Sequence, residues 1–399
     1  MDFGVITFSL PLNLLTMGAC FLFGISYISL TSAFAMTEVQ WELPIIFSAD
    51  SLGGLLMLVV LVSLSVVPTI KIYYRDLGLF CLYTTCFLTF SVLFVYIFQR
   101  GWQLFREQGF VLFFQIFYST IPPINFFVFF NLSYSLSAQH TAFYLLGMEF
   151  SGLVISFFKL FEHLGSPAWV LYAVLLLINV ASLVLFIVLF YFIKDVYSLL
   201  KSQKVLTMAD ELIEDSFVPP WKSSLRLLFD LLSQKKKMLT SVFLSFVVSK
   251  TLFPSYLELK WSGGHPQARS FDAFVALLYF IGVAFGRALL FVPKRPSQLF
   301  VFLASIAQVV FAFPTVLTLY FMTLADYFPI TAACITAMVL ALGFGVVNGY
   351  LTVCAIDLSL NKEEPRVAVT VVSLALYSGV FAGTVFVFII SGVKMALHL

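Results

Sequence analysis

The chain has 399 residues, of which 61% are hydrophobic and only 11% carry a charge, and its mean hydropathy is +1.03. Because a soluble domain needs a water-facing surface and is roughly a quarter charged, this composition excludes a soluble globular protein. The net charge of +2 comes without a basic tail, so we expect the lipid bilayer as a partner and no nucleic acid.

Long apolar runs predict membrane-spanning helices. In lipid, backbone polar groups must be paired within a helix or a closed barrel, and a barrel would show short alternating strands. Runs near the ~20 residues that a spanning helix needs predict an all-α integral membrane protein with eleven transmembrane helices. In chain order the runs cover roughly residues 4–30, 48–70, 77–98, 109–136, 141–161, 168–193, 239–259, 271–292, 298–322, 328–355 and 366–392.

One long polar stretch separates the sixth run from the seventh. It predicts a six-helix bundle over 1–194, a cytoplasmic loop over 195–238 and a five-helix bundle over 239–399, which is the layout of a two-bundle transporter. Within the loop, residues 221–237 mix Leu and Phe with Lys and Arg. This pattern is typical of an amphipathic helix on the inner membrane surface, and equally of a disordered linker with a basic anchor.

The distribution of Lys and Arg predicts the orientation. Most of them fall into the connections that are cytoplasmic if the amino terminus is cytoplasmic, as the positive-inside rule favours. An odd number of helices then places the carboxyl terminus outside. We expect a plasma-membrane protein that acts as a monomer.

The sequence contains no pattern typical of an enzyme. There is no His/Glu metal pair, no phosphate-binding loop and no nucleophile elbow, and the four histidines are scattered over predicted loops and ends. The five cysteines lie in or beside apolar runs without metal-ligand spacing. We expect no catalytic activity, no cofactor and no metal.

Four charged residues fall within predicted spans: Glu149, Lys250, Arg287 and Asp357. Such groups are costly in lipid and usually face a cavity or a partner. Each is open to two interpretations, a functional group on a transport path or a structural charge that snorkels or forms an ion pair.

Prolines and glycines mark points where predicted spans bend or approach closely. The prolines indicate either hinges of a transport path or ordinary kinks, and the glycines indicate helix-packing surfaces. They are Pro11, Pro122, Pro123, Pro254, Pro314, Gly147, Gly152, Gly343, Gly345, Gly349, Gly379 and Gly383.

Five short motifs occur in a definite order along the chain. They are Pro11-Leu12-Asn13, Thr141-Ala142 followed by Gly147 and Gly152, Phe253-Pro254, Gly286-Arg287, and Asn348-Gly349-Tyr350. In order, spacing and helix layout they resemble the equilibrative nucleoside transporter family over nearly the whole chain, as a divergent member would.

The resemblance implies a major-facilitator-like fold in a six-plus-five arrangement. It also implies facilitated movement of a small molecule, a nucleoside or nucleobase, by alternating access. The substrate-binding residues expected on this basis are Leu12, Asn13, Asn125, Phe126, Lys250, Arg287, Asn348 and Tyr377. The residues expected in gating or coupling are Pro11, Glu149, Pro254 and Asp357.

The chain departs from the family pattern at recognition positions. Val283 replaces the family's aspartate four residues before Arg287, and Leu12 replaces its tryptophan. A buried guanidinium without a partner would be costly. We therefore expect another acid, such as Glu149, or an anionic cargo to approach Arg287. Lys250 adds a second cation, which would suit an acidic or phosphate-bearing cargo.

Two further functions fit the same sequence. The first is a transporter of another organic solute, with Glu149 as the titrating group if transport is coupled to protons. The second is a non-transporting membrane scaffold or receptor, which would have a filled apolar centre in place of a polar cavity between two bundles.

Overall fold

The computed structural model describes residues 9–26, 43–66, 73–98, 115–163, 165–167, 169–193, 196, 220–257, 268–291, 296–321, 330–360 and 365–396. In these ranges the secondary structure is helical, without strands. We number the helices in chain order as α1 Leu10–Ile25, α2 Leu43–Val66, α3 Tyr74–Phe98, α4 Gln115–Leu136, α5 Ala138–His163, α6 Trp169–Phe192, α7 Pro220–Leu257, α8 Ala268–Ala288, α9 Gln298–Phe321, α10 Ile330–Ser359 and α11 Pro365–Ala396.

Seven of these helices are long and apolar enough to cross a membrane: α3, α4, α5, α6, α9, α10 and α11. Shorter apolar helical stretches occupy Leu10–Ile25, Ser51–Leu64 and Phe274–Ala288. Large hydrophobic side chains such as Leu177 and Phe311 are exposed on the outer surface, where lipid would cover them. The chain is an all-α membrane protein, and each predicted apolar run overlaps a helix.

Helix α7 differs from its prediction. The segment over 221–237, predicted as an amphipathic helix or a linker, is helical, as the first part of one uninterrupted helix, Pro220–Leu257. The helix therefore begins before the apolar run that starts at residue 239. Leu228, Leu231 and Met238 are buried on one side of this segment, while Phe229 lies on the exposed side. The segment is therefore packed against the rest of the protein through one face.

The boundary between α4 and α5 lies at Ser137, inside the polar patch predicted to separate them. Its backbone is extended, and its Oγ accepts a hydrogen bond of 3.3 Å from the His140 backbone N–H, which caps the start of α5. Earlier in α4, Pro122 and Pro123 precede a π-helical turn over Phe126–Phe130. Prolines remove backbone donors, and π turns are frequent at functional sites.

Helix contacts fall into two groups with specific bridges between them. In the first group α1 packs on α5 and α6, α3 on α6, and α4 on α2 and α3. In the second, α7 packs on α9, α10 and α11, and α8 packs on α10. Between the groups, α5 packs on α8 and α2 packs on α11.

Glycines allow the closest of these helix crossings. An added Cβ at Gly282 or Gly286 on α8 would meet the backbone of α10, and one at Gly345 or Gly349 on α10 would meet the backbone of α8. Both helices therefore carry small residues four positions apart at their contact, the spacing that lets membrane helices approach closely. Between α1 and α5, Gly24 and Gly147 have the same role.

Candidate functional site

The Arg287 side chain lies at the contact between α5 and α8. It forms an ion pair with Glu149 of α5, and its Nη1 donates a 2.6 Å hydrogen bond to the Leu145 backbone carbonyl. The Arg287 side chain is only 3% exposed, and that of Glu149 is 13% exposed. The prediction that Glu149 approaches Arg287 is confirmed.

This ion pair joins the two groups of helices. Its cation comes from α8 and its anion from α5, so the attraction acts across the contact between the groups. Removing only one partner of such a pair leaves an uncompensated charge in a poorly solvated place. The Arg287 Nε has no hydrogen-bond partner among the described residues, so one donor of the guanidinium stays unused in this arrangement.

A chain of hydrogen bonds lies next to the ion pair. Gln308 of α9 donates from Nε2 to Asn348 Oδ1 over 3.2 Å, and Asn348 of α10 donates from Nδ2 to the Tyr279 hydroxyl over 3.2 Å. These hydrogen bonds connect α9 and α10 to α8, the helix that carries Arg287.

A second buried polar cluster surrounds Asn125 on α4. Its Nδ2 donates to Ser26 Oγ over 3.3 Å, and its Oδ1 accepts a 3.0 Å hydrogen bond from the Tyr144 hydroxyl. Phe126 follows at the start of the π turn and is buried against Phe130, with ring centroids 4.7 Å apart. Asn125 and Phe126 thus lie in the packed centre of the first group of helices.

His140 is a buried member of the site region that the sequence prediction placed among loops and ends. Its Nε2 lies 2.8 Å from Thr16 Oγ1 on α1, and its Nδ1 lies 2.7 Å from Ser137 Oγ. The tautomer of the imidazole sets which atom donates in each of these two hydrogen bonds. The imidazole connects α1 to α5.

The contact between α2 and α11 carries a second polar bridge between the groups. The hydroxyls of Ser51 and Thr384 lie 2.6 Å apart and are buried. Nearby, an added Cβ at Gly54 would lie 3.5 Å from the ring of Tyr377. Tyr377 therefore lies at the contact between the groups.

The other predicted site residues are dispersed. Pro11 is exposed at the start of α1, with Leu12 and Asn13 half-buried beside it. Lys250 is half-buried on α7, close to Gly383 of α11, and Asp357 is half-buried near the end of α10. Pro254 lies in α7, and its side chain is outside the described residues.

Gln308, Tyr279 and His140 belong to the polar clusters and were not predicted as site residues. Of the three, only His140 could have been linked to a neighbouring polar residue from the sequence, because Ser137, three residues before it, is a typical helix cap. Among the described residues, no group of three or more His, Cys, Asp and Glu side chains could hold a metal ion. The clusters can instead supply hydrogen bonds and one compensated pair of charges.

Comparison of the sequence with protein-family models and with curated proteins gives no match. A function must therefore be inferred from the motifs and from the arrangement of the polar groups. The groups most relevant to that inference are those that lie where α5 meets α8 and where α2 meets α11.

Proposed function

We propose that the protein is a membrane transporter that moves nucleosides or nucleobases by alternating access, as facilitated diffusion. The observation that carries the proposal is a repeat in the helix contacts. Packing of α1 on α5, of α2 on α4 and of α3 on α4 in the first group matches packing of α7 on α11, of α8 on α10 and of α9 on α10 in the second. Each of these pairs is shifted by six helices, whereas the packing of α7 on α9 has no counterpart of similar extent between α1 and α3 in the described residues.

The two main contacts between the groups follow the same shift, whereas the smaller contacts of α2 with α7 and of α4 with α11 have no counterpart of similar extent in the described residues. A shift of six turns α2 into α8 and α5 into α11, so the α5–α8 and α2–α11 contacts exchange with each other. Two internal repeats related in this way form many secondary transporters, with the substrate site at their interface. This supports a six-plus-five arrangement with α1 to α6 in one bundle and α7 to α11 in the other.

In the proposed cycle, the two bundles rock about a site between them. The Arg287–Glu149 pair holds α5 to α8 in one arrangement, and separation of these helices exposes both charges to the cargo. A cargo that hydrogen-bonds both the Arg287 guanidinium and the Glu149 carboxylate offsets the loss of the ion pair. Binding energy is then used to lower the barrier between the two arrangements.

The motifs support a nucleoside or nucleobase as the cargo, and the charges agree with it. Since Glu149 neutralises Arg287, this part of the interface has no excess positive charge to attract an anion. An uncharged solute with hydrogen-bonding groups therefore fits better than a phosphate-bearing one. We place the protein in a plasma membrane as a monomer, with a cytoplasmic amino terminus and an external carboxyl terminus.

Uptake into proteoliposomes tests the proposal. The purified protein should give saturable entry of labelled adenosine, inosine, uridine or hypoxanthine, with no requirement for an ion gradient. Unlabelled members of this panel should compete, and sugars should not. Lack of flux for the whole panel, with correctly folded protein in the membrane, would refute the cargo.

Proton-coupled transport of another organic solute is the second candidate, and the position of Glu149 favours it. Protonation of this carboxyl would remove the charge that pairs with Arg287, which would couple a proton to the contact between α5 and α8. An imposed pH gradient should then drive solute above its equilibrium level. Uptake that ignores the gradient would leave facilitated diffusion as the mechanism.

A further inference from the structure

We propose that Lys236 and Lys237 of α7 bind the headgroup of an anionic phospholipid, such as phosphatidylserine, on the side of the membrane where α7 begins. The inference uses the proposed six-plus-five arrangement of spans, but it does not depend on the cargo or on transport itself. It gives the segment of α7 that precedes the apolar run a partner of defined chemistry.

Three consecutive lysines of α7 lie in two different surroundings. Lys235 is half-buried, and its Nζ donates a 3.5 Å hydrogen bond to the Leu358 carbonyl near the end of α10. A lysine is favourable there, because the last carbonyls of a helix lack donors within the helix. Lys236 and Lys237 are exposed. One lysine of the three therefore holds α10, and the other two lie on the outer surface.

The face of α7 that carries Lys236 and Lys237 points away from the rest of the protein. Leu231 and Met238 belong to the apolar core that α7 shares with the first group of helices. With 3.6 residues per turn, Lys236, Lys237 and Thr240 lie on the opposite side of the helix, and all three are exposed. This face therefore meets the surroundings of the protein rather than the contact between the two groups.

The position along α7 places the two lysines at the level of the lipid headgroups. In the proposed arrangement, the seventh span covers about 20 residues from Met238 to Leu257, and at about 1.5 Å per residue these match the roughly 30 Å of the hydrocarbon core. Lys236 and Lys237 directly precede this span. Their ammonium groups then lie in the layer of phosphates, while their methylene groups cover apolar surface.

The apolar face of this segment is not what meets the bilayer. A helix lying on the membrane surface would insert residues such as Leu228 and Leu231 into lipid, but both are buried within the protein. Binding to the bilayer is therefore electrostatic, and two adjacent cations select a lipid with net negative charge over a zwitterionic one. In the proposed orientation they face the cytoplasmic leaflet, which carries the anionic lipids.

Native mass spectrometry of the purified protein, with equal concentrations of phosphatidylserine and phosphatidylcholine, tests the proposal. The unaltered protein should retain phosphatidylserine in preference. Lys236→Gln and Lys237→Gln should each lower the affinity for phosphatidylserine about fivefold, because a basic residue near an anionic lipid surface contributes about 1 kcal/mol. Phosphatidylcholine binding should stay unchanged in both variants.

Two controls remove one positive charge elsewhere on α7. Lys235→Gln does so at the same level but on the face toward α10. Arg226→Gln does so at an exposed position about 16 Å further along the helix from Lys237, which is beyond the Debye length of about 8 Å at physiological ionic strength. Both controls should retain phosphatidylserine as the unaltered protein does.

Two results would overturn the proposal. One is an unaltered protein that does not prefer phosphatidylserine. The other is a loss of phosphatidylserine in the controls as large as that in Lys236→Gln and Lys237→Gln, since net charge alone would then decide the binding. Because the measurement needs no flux, failed nucleoside uptake would overturn the proposed cargo without touching lipid binding, and failed lipid binding would leave the cargo untouched.

Discussion

At the scale of single residues, the decisive feature is a guanidinium in an apolar helix. Arg287 is tolerable there because two acceptors on α5 reach it, the Glu149 carboxylate and the Leu145 carbonyl. A buried ion pair contributes little net stability compared with apolar side chains of the same volume, but loss of one partner is expensive. The pair therefore specifies which helices meet rather than strengthening the fold.

Glu149→Gln should lower the free energy of unfolding by about 3–5 kcal/mol, because it leaves the Arg287 cation buried without its anion. The double variant with Arg287→Met should recover most of this loss, since neither charge remains. Thermal unfolding of the purified protein measures both effects, with the exposed Asp230→Asn as the control. A double variant as unstable as the sum of the single variants would show that the two residues are not coupled.

Part of the site could be predicted from single residues. An acid near Arg287 was predictable because a cation in lipid requires compensation, and Glu149 was one of few acids within the predicted spans. Gln308 was not predictable in this way, since a neutral amide requires no counter-charge and its bond to Asn348 depends on how α9 packs on α10.

At the scale of helices, an apolar run predicts the presence of a helix better than the residues at which that helix begins and ends. Helix α9 was predicted over 298–322 and extends from Gln298 to Phe321, because the cost of burying polar groups in lipid fixes how long an apolar run must be. The start of α7 was missed because Lys235 to Lys237 mark the edge of the apolar run. A helix backbone can continue past such an edge, since its hydrogen bonds are local.

The early part of α7 should depend on its buried face. Leu231→Ala should destabilise the protein by about 2–5 kcal/mol, as large-to-small changes at buried positions do. Phe229→Ala is the matched comparison, because Phe229 is 63% exposed on the opposite side of the same segment and should cost far less. Chemical unfolding in detergent measures both, and equal losses would contradict the packing of this segment against the protein.

The crossing of α8 and α10 depends on the absence of side chains at its glycines. An added Cβ at Gly345 would overlap the Tyr279 backbone oxygen and lie 3.0 Å from the Val283 backbone nitrogen, so Gly345→Ala should cost about 1–3 kcal/mol through overpacking. Gly343 lies on the same helix with nothing within 4 Å of an added Cβ. Gly343→Ala should be neutral or stabilising, because alanine favours a helix over glycine. Thermal unfolding measures the stability of the two variants. A loss of stability for Gly343→Ala as large as that for Gly345→Ala would contradict the close crossing of α8 and α10.

At the scale of the whole molecule, the question is whether the two groups of helices move against each other. The two main contacts between them each contain a polar bridge: the α5–α8 contact contains the Arg287–Glu149 pair, and the α2–α11 contact contains the Ser51–Thr384 pair. Around these bridges the larger apolar core continues from the first group into α7, α10 and α11, while a second apolar cluster lies within the second group. Movement of the two groups against each other would therefore break the polar bridges and open part of this shared core.

A pair of cysteines at the α2–α11 contact tests this movement directly. The Ser51 and Thr384 hydroxyls are 2.6 Å apart, so Ser51→Cys with Thr384→Cys places two thiols within reach of a disulfide bond. Oxidation should abolish transport, because the bridge prevents the bundles from separating, and reduction should restore it. The matched control is Thr89→Cys with Asn179→Cys, whose native side chains are 3.1 Å apart between α3 and α6 within one proposed bundle. Oxidation of the control should leave transport intact, whereas equal inhibition by both bridges would mean that flexing inside a bundle, rather than rocking between bundles, carries the solute across.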